Sequence, residues 1–285
     1  MLSVGVGPLS LSVEHVLLIL AFVVALIVGA VAGRKRKTPI SGSLADIFLV
    51  AMVSARIGFV VRYFEYYQDD WLGIIDIRDG GFDMVTGLLV ALAFSGYLMW
   101  RRANIRKALG TAVMAGLVTW GFTTGTIALI NQQTSSLPEV ALTDLSEQPA
   151  SLEDIAQGKP MVINLWATWC PPCIREMPVL EQAQQRYPQI NFVFPNQGEH
   201  PETIQNFLNE HELNMANVLS DRAGNFGRVV GSHGLPTTLF YNAEGQLVDS
   251  HMGELSHASL ARNLERFDPR YLTEESPATE ATTNE

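Results

Sequence analysis

Residues 166–173 read WATWCPPC, and they contain both cysteines of the 285-residue chain, Cys170 and Cys173. The preceding apolar run, 161–167 (MVINLWA), predicts a short buried strand that leads directly into a helix beginning at the cysteines. A ring closed across two intervening residues would constrain the unfolded chain little, and a structural zinc site needs four ligands. The pair therefore indicates redox chemistry rather than a structural staple or metal clip.

The sequence around this stretch alternates between strand and helix patterns. Residues 132–160 are predicted to form a connector and a lead-in hairpin, with a short helix at 152–157. After the cysteines we expect a helix to about Tyr187, a strand at 191–195, a helix at 202–213, strands at 237–242 and 246–252, and a helix from Ser256 to 267. This pattern predicts an α/β domain over 132–272, and the Thr- and Glu-rich segment 273–285 is predicted to be a disordered acidic tail.

Charge and hydropathy divide the chain near residue 132. The first part carries 11 Lys/Arg against 8 Asp/Glu, whereas residues 132–285 carry 8 against 21, a net charge of −13. Such an acidic domain would repel phosphate backbones, so nucleic acid is not expected as a partner.

Four apolar stretches in residues 1–131 are long enough to span a bilayer: 16–33, 44–66, 84–100 and 108–131. Basic clusters follow the first and third stretches, and the intervening loop 67–81 is acidic. By the positive-inside rule, the N-terminus and everything after the fourth span lie outside the cytoplasm. The first stretch lacks a preceding basic region, so it is interpreted as a retained anchor rather than a cleaved signal peptide. The prediction is a multi-pass protein of the bacterial inner membrane with four transmembrane helices.

The soluble part resembles the TlpA/ResA group of membrane-tethered thioredoxins. The resemblance covers about residues 138–268 and rests on 162–178, on Gly234-Leu235-Pro236-Thr237-Thr238 and on the closing strands and helix. It implies a thioredoxin-like fold and thiol:disulfide oxidoreductase activity.

Cys170 is predicted to be the attacking thiolate, partly exposed at a helix N-terminus whose free N–H groups lower a thiol pKa. Cys173 is predicted to be the resolving thiol, and no cofactor beyond this redox-active pair is expected. The resemblance implies that Glu176 assists proton transfer, because Asn164 stands where thioredoxins have a titratable aspartate; the alternative is a solvated helix glutamate. Neither Pro171 nor Pro172 offers an N–H to the sulfur, which favours a reductant over an oxidant.

Client binding is assigned to residues around the cysteines. The resemblance implies a cis Pro236 facing them, with the backbone of Leu235 free to pair with a client strand. Trp169 is expected at the rim of the site and Trp166 in the core. The loop 196–199 is interpreted as a simple polar loop, with a partner contact as the alternative. The full candidate set for substrate binding is Trp169, Pro171, Pro172, Leu235, Pro236 and Thr237.

The membrane part resembles prolipoprotein diacylglyceryl transferase over about residues 45–90. The resemblance rests on Ala55-Arg56-Ile57-Gly58-Phe59, on Asp79-Gly80-Gly81 and on Gly87-Leu88-Leu89. The catalytic histidine of that family is replaced by Val85, which argues against residual lipid transfer and favours a membrane anchor. Arg56 is the ionisable residue expected at depth, facing other helices.

The resulting hypothesis is a membrane-anchored, periplasmic thiol:disulfide reductase. Expected partners are client proteins with disulfides or thiols, such as apocytochrome c or copper-site proteins, together with membrane lipid and a membrane electron donor of the DsbD/CcdA kind. A disulfide oxidase or isomerase with the same site remains an alternative, and so does a copper- or zinc-handling dithiol module aided by His233 or His251. No bound metal is predicted.

Overall fold

The computed structural model describes residues 3–6, 9–34, 40–68, 70–131 and 136–267. The predicted acidic tail at 273–285 and most of the basic cluster at 34–37 lie outside these ranges. The chain divides into two compact units, one with the long helices and one with a seven-stranded sheet. Two short strands, β1 (Ser3–Val6) and β2 (Leu9–Ser12), precede the helices and pair as a two-stranded sheet.

The helical unit contains helices that match the predicted spans to within a few residues. They are α1 (Val13–Arg34), α2 (Ser41–Arg62), α3 (Met84–Arg101) and α4 (Arg106–Asn131), with short 3-10 turns at Phe64–Tyr67 and Trp71–Ile74. Small residues recur every four positions on α1 and are buried, which allows a close approach to α4. An apolar cluster of Ile40, Leu44, Leu98, Leu109 and Ala112 fills this unit.

Three of these helices, α1, α2 and α3, are long and apolar enough to cross a membrane. Within the part of the chain that the structure describes, α4 is not among these candidates, so the prediction of four spans is not confirmed. Threonine hydroxyls of α4 donate to carbonyls one turn earlier, as Thr119 does to Ala115 and Thr126 to Phe122. A fourth span stays a prediction.

Arg56 lies on α2 and is buried, but its contacts differ from the predicted packing against other helices. Its guanidinium donates to the carbonyls of Gly73, Ile74, Asp76 and Gly81, at 2.6–3.0 Å. The backbone of the α2–α3 connection supplies these acceptors.

The second unit is an α/β domain. Its strands are β3 (Leu142–Thr143), β4 (Pro149–Ala150), β5 (Met161–Leu165), β6 (Asn191–Gln197), β7 (Val218–Asp221), β8 (Thr237–Tyr241) and β9 (Leu247–Met252). They form one sheet in the order β4-β3-β7-β6-β5-β8-β9. Central β5 pairs parallel with β6 and antiparallel with β8, and β7 continues the sheet parallel to β6. The helices are α5 (Leu152–Ala156), α6 (Pro171–Arg186), α7 (Pro201–Glu210), α8 (Asn225–Val230) and α9 (His257–Phe267).

The predicted buried strand is confirmed, since every residue of β5 is buried. Its side chains alternate between two cores: Val162 joins the core beneath α6 and α7, whereas Ile163 and Leu165 join the core on the opposite face. A strand buried on both faces reads as a continuous apolar run, as MVINL does. β7 and α8 were not predicted from the sequence.

Candidate active site

The sheet places the Pro236 loop beside the cysteines. β5 ends at Leu165, and the chain reaches Cys170 five residues later. Leu165 pairs with Thr237, the first residue of β8, so the preceding Leu235–Pro236 bond lies next to the segment that leads to Cys170. This bond is cis, as predicted.

Cys170 caps the N-terminus of α6, and Pro171 and Pro172 occupy its first turn. Proline is well suited there because the first N–H groups of a helix have no intrahelical partner. The backbone N–H of Cys173 donates to Cys170 Sγ over 3.4 Å. The two cysteines form a disulfide with a Cα–Cα distance of 5.3 Å.

The expectation that Cys170 would be partly exposed is wrong for this disulfide-bonded state, in which it is 3% exposed. It is bonded to the fully buried Cys173 and lies in the core that contains Trp166 and Met177. The neighbouring Trp169 is 67% exposed, and Trp166 is fully buried, which confirms their predicted placement.

Glu176 is fully buried on α6, so the solvated alternative is wrong. Asn164 Nδ2 donates to Glu176 Oε1 over 2.7 Å, and the backbone N–H of Leu255 donates to Oε2 over 2.9 Å. Desolvation by burial raises the pKa of Glu176 to about 8, and the nearby Glu254 carboxylate adds to this, whereas the two hydrogen bonds oppose it. Arg175 forms a bidentate ion pair with Glu254 at the surface.

Cys173 and Glu176 are three residues apart on α6, and both are fully buried. Positions i and i+3 share a helix face, so the carboxyl lies on the same side of α6 as the resolving sulfur. A group with a pKa of about 8 can both hold and release a proton near neutral pH. The arrangement can therefore support thiol–disulfide exchange with a buried proton acceptor.

The remaining predicted client-binding residues differ in their accessibility. Pro171 is exposed and Leu235 half-buried, whereas Pro236 and Thr237 are buried. Thr237 Oγ1 donates to the carbonyl of Gly234 over 2.7 Å, so its hydroxyl serves the loop itself. A side-chain contact between Thr237 and a client is not available in this conformation.

The sequence favoured a simple polar loop at 196–199, but Glu199 in this loop contacts the segment that leads to the cysteines. Its carboxylate accepts hydrogen bonds from the backbone N–H and the hydroxyl of Thr168, at 2.8 and 2.5 Å, and from Asn196 Nδ2 at 2.7 Å. It thus fixes the backbone just before Trp169 and Cys170. Its place two residues after β6, at the carboxyl end of a parallel strand, is the signal on which a partner contact was kept as the alternative for this loop.

Among the described residues, no group of three or more His, Cys, Asp or Glu is placed to hold a metal ion. His251 Nε2 lies 3.3 Å from the carbonyl of Glu254, and His233 is exposed. Neither histidine adds support for metal handling by the cysteines.

Family comparisons divide the chain in the same way as its composition. Residues 132–264 match the Redoxin family model, and residues 2–135 match the model of prolipoprotein diacylglyceryl transferase. The thiol-disulfide oxidoreductase ResA of Halalkalibacterium halodurans is 27% identical over 172 residues, which cover 60% of this chain and 95% of ResA. The thioredoxin-like protein YneN of Bacillus subtilis is 29% identical over 140 residues, 47% of this chain and 79% of YneN.

Solved structures that resemble the chain cover its second half. A putative thiol:disulfide interchange protein DsbE from Chlorobium tepidum matches with 25% identity and a TM-score of 0.42, covering 48% of this chain and 96% of that protein. The structure of MTB dsbF matches with 26% identity and a TM-score of 0.42, covering 46% of this chain and 99% of that one.

Proposed function

We propose that this chain, whose Redoxin domain makes it a thiol:disulfide oxidoreductase of the ResA type, works as a membrane-anchored reductase of client disulfides. The observation that carries the proposal is the Cys170–Cys173 disulfide at the N-terminus of α6, with a buried Glu176 one turn further along. The Redoxin match and the ResA relatives support the reaction class. The direction of electron flow is part of the proposal.

In the proposed reaction, Cys170 of the reduced enzyme attacks one sulfur of a client disulfide as a thiolate. A mixed disulfide forms and the client's other sulfur leaves as a thiolate. Cys173 then loses its proton and attacks the Cys170 sulfur, which releases the second client thiolate. Two electrons pass to the client, and the enzyme is left with the disulfide seen in the structure. The cysteine pair itself carries the electrons, so the proposed reaction needs no further cofactor.

The ionised form of Glu176, whose fraction grows as the pH rises toward its pKa of about 8, is proposed to accept the proton of Cys173 during the second step. A thiol buried in an apolar core resists ionisation, because burial disfavours the charged form. Glu176 is the carboxyl on the same face of α6, and Asn164 and the Leu255 N–H hold its two oxygens in place. When the enzyme is reduced again, the protonated carboxyl can return the proton to Cys173.

The first turn of α6 supports the reducing direction. Pro171 and Pro172 have no N–H, so two of the donors that usually stabilise an anion at a helix N-terminus are missing. The Cys173 N–H does donate to Cys170 Sγ, at a long 3.4 Å. With fewer N–H donors, the Cys170 thiolate of the reduced enzyme is less stabilised. Because a strong oxidant needs a stable reduced form, this enzyme should be a poorer oxidant and a better reductant.

A reductase outside the cytoplasm needs a source of electrons on the other side of the membrane. Both cysteines of the chain lie in the soluble domain, so the helices α1–α4 cannot relay thiol electrons. We therefore propose a separate membrane electron donor of the DsbD/CcdA kind. The three candidate spans and the diacylglyceryl transferase-like region support membrane anchoring. A periplasmic site, and clients such as apocytochrome c or copper-site proteins, are parts of the proposal.

Diacylglyceryl transfer is not proposed for the membrane unit. Val85 occupies the position of the family's catalytic histidine, in the first turn of α3, and a valine side chain cannot exchange a proton. Likeness of scaffold does not carry an activity when the reacting group is missing.

The test is the redox state of the cysteines in growing cells, trapped with acid and then alkylated. Mostly reduced Cys170 and Cys173 are expected, because an electron donor would keep the pair reduced in an oxidising compartment. Mostly disulfide-bonded cysteines would overturn the reductase direction and favour an oxidase or isomerase. The variant Cys173→Ser should accumulate client adducts on Cys170, and Cys170→Ser is the matched control that should accumulate none.

A further inference from the structure

The connection between α2 and α3 exposes large apolar side chains. Trp71 is 64% exposed, Leu72 81% and Ile75 78%, and all three lie in or next to the 3-10 turn Trp71–Ile74. The ring of Trp71 lies 6.1 Å from that of Phe64, which follows the end of α2 by two residues and is 45% exposed, so the patch continues toward α2, where Val61 is 71% exposed. Since α2 and α3 are both candidate membrane spans, this apolar patch adjoins surface that faces lipid in the proposed anchor. Large apolar side chains exposed side by side mark a surface that binds membrane or protein.

Backbone contacts show how deep the connection reaches along α2. The N–H of Asp83, the residue just before α3, donates to the carbonyl of Ala55 over 2.9 Å. Ala55 lies seven residues before the end of α2 at Arg62, which corresponds to about 10 Å at 1.5 Å per residue. The chain therefore turns back along α2 before α3 begins, rather than ending its turn in bulk water.

Arg56 makes such a re-entrant backbone compatible with lipid. Irregular backbone at membrane depth is tolerated only where its polar groups are satisfied by the protein. The Arg56 guanidinium satisfies this backbone, because it donates hydrogen bonds to the carbonyls of Gly73, Ile74 and Asp76. It also lies 5.7 Å from the ring centres of Phe59 and Tyr67, which shield it.

We propose that residues 70–77 form an interfacial lipid anchor, in which Arg56 fastens the backbone and Trp71, Leu72 and Ile75 insert at the boundary between headgroups and acyl chains. Tryptophan prefers this level of a bilayer, where an amphipathic ring meets both phases. The lipid bilayer is the occupant, because the patch continues the apolar surface of α2. This anchor depends on membrane insertion of the helices and is independent of the direction of electron flow at the cysteines.

The test places a nitroxide label on Leu72→Cys in the full, oxidised chain, reconstituted in vesicles of phosphatidylethanolamine and phosphatidylglycerol. The native cysteines are held in their disulfide, and unsubstituted protein serves as the labelling control. The label should collide more with oxygen, which partitions into lipid, than with a water-soluble nickel chelate. A label on Glu244→Cys, in the exposed β8–β9 turn of the soluble domain, should show the reverse.

Two results would overturn the anchor. A nickel-accessible Leu72 label, like that on Glu244, would place the turn in water. A label protected from both agents would mean that protein, not lipid, covers the patch.

A second comparison tests the role of Arg56. In the Leu72→Cys background, Arg56→Gln should shift the label toward the nickel-accessible profile, because one amide cannot satisfy several carbonyls. Arg62→Gln, at the end of the same helix, is the matched control and should leave the profile unchanged. An unchanged accessibility profile in Arg56→Gln, with helix content retained by circular dichroism, would show that the guanidinium does not hold residues 70–77 in the bilayer interface.

Discussion

Replacement of Glu176 by Gln tests whether a proton on this buried carboxyl matters for stability and catalysis. Gln has nearly the shape of a protonated carboxyl, and its side-chain oxygen can accept from Asn164 Nδ2 or the Leu255 N–H. Burial raises the pKa of Glu176 from 4.5 to about 8, so the folded protein holds the carboxyl mainly neutral at pH 7. The variant is locked in a state that resembles this neutral form.

The raised pKa of Glu176 determines whether the folded protein gains or loses stability as the pH rises. The folded state binds the proton more tightly than the unfolded state, so its stabilising contribution is complete below pH 4.5 and is lost as the pH rises toward 8. Each pKa unit corresponds to about 1.4 kcal/mol, so the difference is worth up to about 5 kcal/mol. We expect the unfolding free energy of the wild type to fall by several kcal/mol relative to Glu176→Gln between pH 4.5 and 8.

Hydrogen exchange followed by mass spectrometry measures this difference on the full chain in detergent micelles. Peptides that contain β5 and β8 report opening of the soluble core, after correction for the pH dependence of chemical exchange. Glu202→Gln, an exposed position in the first turn of α7, controls for the loss of a charge. Parallel pH profiles for wild type and Glu176→Gln would refute the reasoning. In the same variant, the rate of client reduction should lose the rise toward pH 8 that ionisation of Glu176 produces in the wild type.

Three further outcomes are expected around the cysteines. Trp169→Ala should weaken client binding and change the unfolding free energy by less than about 0.5 kcal/mol, whereas the buried Trp166→Ala should cost about 3–5 kcal/mol; equal costs in chemical denaturation would contradict their assigned places. Pro172→Ala adds an N–H near Cys170 Sγ and should lower the Cys170 pKa, which a thiolate absorbance titration at 240 nm measures. An unchanged pKa would show that the missing N–H donors do not determine whether the enzyme reduces or oxidises its clients. Glu199→Gln leaves one acceptor for the donors of Thr168 and Asn196, so thermal unfolding should show a loss of about 1–3 kcal/mol, and no loss would mean that water replaces the carboxylate.

Local sequence signals predicted the strand, the cysteines and the helix that follows them. MVINL is an apolar run flanked by turn residues, and the structure buries all of it as β5. The run Leu235-Pro236 was assigned beside the cysteines from its family pattern, and the pairing of Leu165 with Thr237 places it there. By contrast, β7 is only four residues long and becomes a strand through parallel pairing with β6, which no local pattern reveals.

The surroundings of individual side chains were harder to predict, because they depend on distant residues. The position of Glu176 on α6 fits both a solvated and a buried carboxyl. What holds it inside is the N–H of Leu255, 79 residues later in the chain. The exposure of Cys170 was misjudged for a similar reason, since in the disulfide-bonded state it belongs to a core built from several elements.

Arg56 and Glu176 show two different ways to bury an ionisable group. A guanidinium keeps its charge in proteins, so burial requires acceptors, and the carbonyls of the α2–α3 connection supply them. A carboxyl can instead take up a proton and become neutral, and burial raises the pKa of Glu176 to about 8 for this reason. A group that stays charged can only fasten structure, which suits an anchor. A group that changes its charge near neutral pH can move protons, which suits a site where a buried thiol must ionise.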